Sequence, residues 1–248
     1  MDMRLFFDGW RGGGPPHRRL DRMLRALAPD DGAEAPGRDT LGQDTLGQDT
    51  LGQDTLGMRN QRLLRLHADL GGGPLEAVAK CPACATVNEF ALPGDLLLAL
   101  PAPTPDAAAM IGGVRFRLPR MDDLLSDDPR PLAERCCEAA PAPSADDVAR
   151  ADAALGALDP AADPVFDLVC AACGDAHRAA VDIAGFVAAA LDRLAARLLR
   201  EVDMLASAYG WSERAIAALP AERRRRYVEM VAARGSVPST AARGGALR

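Results

Sequence analysis

Two short cysteine motifs constrain this chain more than any other feature. Cys81-Pro82-Ala83-Cys84 and Cys170-Ala171-Ala172-Cys173 each space two thiols by two residues. That spacing lets a tight turn aim both sulfurs at one ion, and two such turns supply the four tetrahedral ligands that Zn²⁺ favours. Each pair follows a strand-like segment, Leu75 to Lys80 and Val165 to Val169. Each precedes another, Asn88 to Leu92 and then Asp95, or His177 to Val181 and then Asp182. The halves read as two similar knuckle hairpins closing on one metal, a zinc-ribbon arrangement. Eighty-five residues separate Cys84 from Cys170, where the common spacing is about 15–20. The intervening chain is therefore expected to be an insertion with its own elements. Structural Zn²⁺ is the expected cofactor, because four protein ligands leave no position open for catalysis. The alternatives are a redox dithiol and plain buried or free thiols. Neither motif sits in the βαβ context of a thioredoxin-like site.

Helical periodicity organises the rest. Ile183, Val187, Leu191, Leu194, Leu198, Val202, Leu205 and Tyr209 fall on one face of a long helix, with Arg193, Arg197 and Arg200 outside it. Asp182 is placed to cap it and Gly210 to end it. Ser212 caps a short helix that stops at Leu219-Pro220, and another runs from Pro220 to about Ala233. Upstream, His17 to Ala28, residues 58–70 (capped by Asp54 or Thr55) and Ser144 to about Leu155 read as helices. Shorter ones are expected after Met121 and from Leu132 to Ala139. Val114 to Leu118 alternates as a half-buried strand. Residues 39–57 repeat Asp-Thr-Leu-Gly-Gln from Asp39, Asp44 and Asp49, with a fourth copy from Asp54 that ends in Met58. One Leu per five residues buries too little surface to offset backbone entropy, so this segment reads as a low-complexity linker.

Together these features predict an α+β fold, mainly helical, with a pair of C-x-x-C knuckle hairpins and a long C-terminal helix. The expected organisation is an N-terminal helical segment (1–38), the repeat linker (39–57), a zinc-ribbon-like domain (58–181) with a helical insertion at 93–163, a C-terminal helical region (182–233) and a disordered tail (234–248).

Charge and motif content narrow the function classes. The net charge is -6 and the pI near 5.2, against a global grip on nucleic acid. No apolar run reaches the length of a membrane span, and Met1 to Trp10 lacks a signal-peptide core, so a cytoplasmic location is expected. There, six cysteines are expected to be reduced, metal-bound or buried. No P-loop, H-E-x-x-H motif or Ser-His-Asp arrangement occurs, and no enzyme is predicted. Gly12 to Gly14 and Gly71 to Gly73 read as breaks. Cys136 and Cys137 read as small, partly buried apolar residues. His177 reads as a polar position on an outgoing strand, with a ligand or supporting role at the metal as the alternative. The basic run Arg223 to Arg226 reads as a solvated helix face or protein contact, or as a nucleic-acid patch. Trp211, beside Tyr209, either pins a helix junction to the core or anchors a partner.

The order of these segments resembles a known family. It runs from a Leu-rich helix through Cys-Pro-x-Cys, a Val-Arg-Phe-Arg-Leu-Pro strand at 114–119, an all-helical insertion, a second C-x-x-C and a long helix. It then closes with Asp203-Met204-Leu205-Ala206-Ser207-Ala208-Tyr209-Gly210-Trp211-Ser212-Glu213 and the Arg-rich segment from Leu219 to Met230. Over about residues 58–233 the chain resembles baseplate proteins of contractile phage tails and related bacterial injection systems, described as similar to the T-even phage baseplate hub assembly chaperone. The pentapeptide repeat stands where relatives have ordinary helix and loop. The resemblance implies a non-enzymatic component in the bacterial host cytoplasm or in the assembled particle. It implies docking to hub, spike or wedge proteins, with Tyr209, Trp211, Arg223, Arg226 and Tyr227 as the expected partner-binding residues. Zinc ligation maps onto Cys81, Cys84, Cys170 and Cys173. A zinc-ribbon regulator that binds nucleic acid is the rival reading.

Overall fold

Among the described residues, three separate β-hairpins, each only two strands wide, are held in a mainly helical frame. The computed structural model describes residues 3–10, 15–27, 54–101, 103–104, 106–138 and 143–235. The Gly12–Gly14 break, most of the pentapeptide repeat and the tail from 236 lie outside the described residues.

The first helices are α1 (Met3–Trp10) and α2 (Pro16–Leu27), followed by α3 (Leu56–Asp69). The apolar run Leu5-Phe6-Phe7 lies within α1, with Phe6 and Phe7 buried. Thr55 caps α3, its hydroxyl accepting from the Met58 N–H at 3.2 Å, so the helix begins two residues earlier than expected. The repeat's last copy is thus built into the fold, with Asp54 and Thr55 buried. The linker boundary at 57 moves accordingly.

Strands β1 (Leu75–Lys80) and β2 (Val87–Leu92) pair antiparallel around the first knuckle, from Leu75↔Leu92 to Lys80↔Val87. After α4 (Gly94–Leu98) the insertion begins. It is not purely helical. Strands β3 (Ala108–Ile111) and β4 (Val114–Arg117) form a hairpin around Gly112-Gly113, and α5 (Met121–Leu125), α6 (Leu132–Arg135) and α7 (Ala145–Leu158) follow. Strands β5 (Val165–Val169) and β6 (Ala176–Ala180) flank the second knuckle. The chain closes with α8 (Ile183–Tyr209), α9 (Glu213–Ala217) and α10 (Ala221–Gly235).

Helix α8 has 27 residues, about 40 Å at 1.5 Å per residue. Its apolar stripe is the axis of the larger core. Ile183, Val187, Leu191 and Leu198 pack with Phe6, Leu20, Leu24, Leu63, Leu66, Leu75, Leu97 and Val181. Asp182 caps α8 by accepting from the Gly185 N–H at 2.8 Å. Asp192 faces α1 and α2, accepting from Trp10 Nε1 at 3.1 Å and pairing with Arg19 at 2.9 Å. The boundaries expected at 38 and 182 therefore do not divide cores, because the N-terminal helices, the inner hairpin ends and α8 share one. The insertion has its own smaller core, Ala109, Phe116, Leu118, Ala133, Cys136, Ala151 and Leu155. Polar groups join the two. Asp159, at the end of α7, accepts from the Gly57 N–H at 2.9 Å, and Asn60 donates to the Ala161 and Ala162 carbonyls at 2.9 and 3.1 Å. Among the described residues no helix is long and apolar enough to cross a membrane.

Candidate metal centre

Each knuckle is a tight turn closed by the same two backbone hydrogen bonds. In the first, Cys81 N–H donates to the Thr86 carbonyl and Ala85 N–H to the Cys81 carbonyl, both at 2.9 Å. In the second, Cys170 N–H donates to Asp175 and Gly174 N–H to Cys170, again both at 2.9 Å. The turn requires a left-handed residue just after the second cysteine. Gly174 supplies it at φ 74°, where a glycine meets no Cβ clash, but the first knuckle forces Ala85 to φ 61°.

These turns bring all four sulfurs within 4.8 Å of one another. Contacts cross between hairpins: Cys81 Sγ lies 3.7 Å from Cys173 Sγ, and Cys84 Sγ lies 3.6 Å from Cys170 Sγ. In each knuckle the first cysteine is buried and the second exposed, and all six cysteines of the chain are free thiols. Four thiols so crowded do not ionise alike. Cys170 is drawn down to about 6 by the N–H groups of Cys173 and Ala172, with Asn88 assisting. Cys84 is lowered, chiefly by the hydroxyl and N–H of Thr86. For Cys173 the Asp175 N–H favours the thiolate, yet the neighbouring sulfurs and burial push it up to about 12. A cation among the sulfurs removes this conflict by stabilising every thiolate at once. The donor set is compatible with a metal ion.

No protein-family model, curated protein or solved structure matches the chain.

Two polar side chains flank the sulfurs. Asn88, on β2, reaches across to the other knuckle. Its amide donates to Cys170 Sγ at 3.6 Å and accepts from the Ala171 N–H at 2.9 Å. His177 lies on the outgoing strand β6, with its side chain nearly buried at 7% exposed. A ring nitrogen lies within 4.8 Å of both Cys81 Sγ and an Asp175 carboxylate oxygen. Cys81, His177 and Asp175 are the residue types of a nucleophile, base and acid. However, Cys81 is 1% exposed and its sulfur faces the other thiols, out of a substrate's reach.

Cys136 and Cys137 stand apart in the insertion. Cys136 is fully buried in the small core, and burial, reinforced by the Asp123 carboxylate, pushes its thiol up to about 11.

The second set of expected site residues also comes together, at the α8–α9–α10 junction. Tyr209 and Trp211 stack with centroids 4.7 Å apart, and Tyr227 meets both edge-on at 5.8 and 5.0 Å. The Arg223 guanidinium lies 5.9 Å from the Tyr227 ring centre, and Arg226 pairs with Glu222 at 2.9 Å. The three rings remain half-buried. The run of four arginines hides one structural member: Arg224 is 4% exposed, donating to Glu201 at 2.9 Å and to the Leu219 carbonyl at 3.3 Å.

Proposed function

We propose that this chain is a non-enzymatic docking protein of a contractile phage tail or contractile injection system. It serves as a baseplate component or baseplate hub assembly chaperone, and a structural Zn²⁺ ribbon at Cys81, Cys84, Cys170 and Cys173 holds it together. The observation that carries the metal reading is the sulfur geometry. A tetrahedron with arms of about 2.3 Å has edges of about 3.8 Å, against the observed 3.7 and 3.6 Å. An all-sulfur tetrahedral donor set favours zinc over the hard cations that prefer oxygen. With four thiolates the ion has no open position, so its role is to fix two distant segments of chain.

The docking reading is supported by the order of motifs along the sequence and by the junction of Tyr209, Trp211 and Tyr227, rimmed by Arg223 and Arg226. Tyr, Trp and Arg are the residue types that dominate binding energy at interfaces. Hub, spike or wedge proteins are the proposed partners. Mass spectrometry of purified particles, alongside the lysate that produced them, tests this. A fixed stoichiometry in particles makes the chain a structural baseplate part. Presence only on partly assembled hubs makes it a chaperone that leaves. Absence from both refutes the baseplate reading and favours the nucleic-acid-binding regulator. Against that rival, Arg224 of the basic run is buried on Glu201, and Arg225 and Arg226 pair with Glu229 and Glu222.

A further inference from the structure

The two knuckle modules share more than their cysteines. At a constant offset of 89 residues, the helix N-caps Thr55 and Ser144, the 14-residue helices α3 and α7, and both cysteine pairs coincide. So do the left-handed Ala85 and Gly174 and the outgoing strands β2 and β6. The same offset pairs Asn88 with His177. Because the sulfur contacts cross between hairpins, a residue at this position on one outgoing strand faces the first, buried cysteine of the other knuckle. Asn88 does so, bonded to Cys170 Sγ and the Ala171 N–H. His177 takes the equivalent place beside Cys81, with a ring nitrogen within 4.8 Å of its sulfur. Its ring is 7% exposed and its Nε2 is buried without a hydrogen-bond partner, while Nδ1 lies 3.4 Å from the Asp175 carbonyl. A buried ring nitrogen is normally partnered, so the orphaned atom points to a group that this side chain is placed to serve.

We infer that Asn88 and His177 are paired positioning residues of the metal centre, each reaching from its own hairpin to hold the buried thiolate of the other. This rests on the metal reading above. Four thiolates around a divalent cation carry a net charge of about −2, and the two buried sulfurs cannot pass that charge to water. An N–H directed at each buried sulfur spreads the charge, fixes the thiolate's direction and resists its protonation and release. Asn88 supplies this for Cys170 and His177, through a ring N–H, for Cys81. Both contacts cross the clamp, so both also oppose separation of the hairpins. Neither residue ligates the ion.

The test uses the full chain loaded with Co²⁺, whose sulfur charge-transfer band reports thiolate electron density, and zinc release to a coloured chelator. Wild type is expected to bind one ion per chain, lost in Cys81→Ser and Cys170→Ser. His177→Leu and Asn88→Leu are expected to release zinc about 10–100-fold faster, the usual cost of removing such a supporting partner, with the cobalt band moved to lower energy. His177→Asn, which places the Asn88 side chain at the equivalent position, is expected to restore the band and most of the retention. Far-UV circular dichroism confirms that each variant is folded, and the Asn variant keeps the test decisive if the Leu variant is not. One bound ion with unchanged release and band in both the Leu and Asn variants overturns the assignment and leaves the metal site standing. Two ions per chain, one of them lost with His177, makes His177 a ligand and also overturns it. No ion bound by wild type defeats the metal reading itself, and this inference with it.

Discussion

Removing the proposed metal is the perturbation with the largest expected effect, and its size follows from the topology. A two-stranded hairpin is marginal on its own. The clamp joins two of them across the 85 residues between Cys84 and Cys170. Treated as a cross-link closing a loop of that length, it removes about 4–5 kcal/mol of entropy from the unfolded chain. The full ~10–16 kcal/mol seen in small zinc peptides does not apply, because the inner hairpin ends stay anchored without it. Leu75, Leu92 and Val181 belong to the α8 core, whose other members are helical. At about 2–4 °C per kcal/mol for a chain of this size, chelation under reducing conditions is expected to lower Tm by about 10–20 °C. Helical circular dichroism at 20 °C should change little. Hydrogen exchange should accelerate in 75–92 and 165–181 and leave 183–205 protected. Calorimetry of protein with a measured metal content, with and without chelator, is the assay. A Tm unchanged within 3 °C refutes the clamp as a stabilising device. Collapse of the α8 signal on chelation refutes the claim that the helical core stands without it.

Four further outcomes are expected. Ala85→Gly relieves the left-handed alanine and raises stability by about 1 kcal/mol, read as a higher denaturant midpoint; a drop shows that the turn is not strained. Gly57→Ala destabilises by about 2 kcal/mol despite the better helix former, because the new Cβ runs into the buried Asp159 carboxylate; a gain in Tm refutes that packing. Native alkylation at pH 7.5 in chelator labels the exposed, lowered Cys84 early, whereas Cys136, buried with its thiol near 11, stays unmodified; labelling of native Cys136 contradicts the closed small core. Burial would raise Asp123, but Arg117 and the Arg120 N–H outweigh it and lower the carboxyl, so its contribution is complete above pH about 4 and is lost as pH falls through the depressed folded value. Urea midpoints between pH 2 and 6 should show this slope in wild type and a weaker one in Asp123→Asn.

What could be read from the sequence was local. The C-x-x-C spacing, the 3.6-residue stripe from Ile183 to Tyr209 and the caps Thr55, Ser144, Asp182 and Ser212 depend on neighbours a few residues away, and each is found in the structure. Strand β3 was not legible, because Ala108-Ala109-Met110-Ile111 carries little β preference and only Gly112-Gly113 marks the hairpin. Which of four consecutive arginines is buried depends on Glu201, 23 residues upstream. Strand alternation could not say which face of β6 turns inward, so His177 read as an ordinary polar position. A signal was available nonetheless: aligning the chain with itself at an offset of 89 sets His177 opposite Asn88.

The same repeat explains how an insertion of this size can sit between the halves of one site. The crossed sulfur contacts bring Cys84 and Cys170 to 3.6 Å, so the strands that lead out to the insertion and back from it are held by one clamp. Whatever lies between need not contribute to the metal, and here it packs around Phe116 and Cys136 in a core of its own. It is tied back through the start of α3, where Asp159 and the Ala161 and Ala162 carbonyls meet Gly57 and Asn60, and where the Leu56 N–H reaches the Pro119 carbonyl at 3.1 Å. Those bonds lie on the first turn of a helix whose N-cap comes from the last copy of the pentapeptide repeat. A change in repeat number leaves that copy in place, so the clamp, the insertion and the aromatic junction keep their arrangement while the length of chain between α2 and α3 varies.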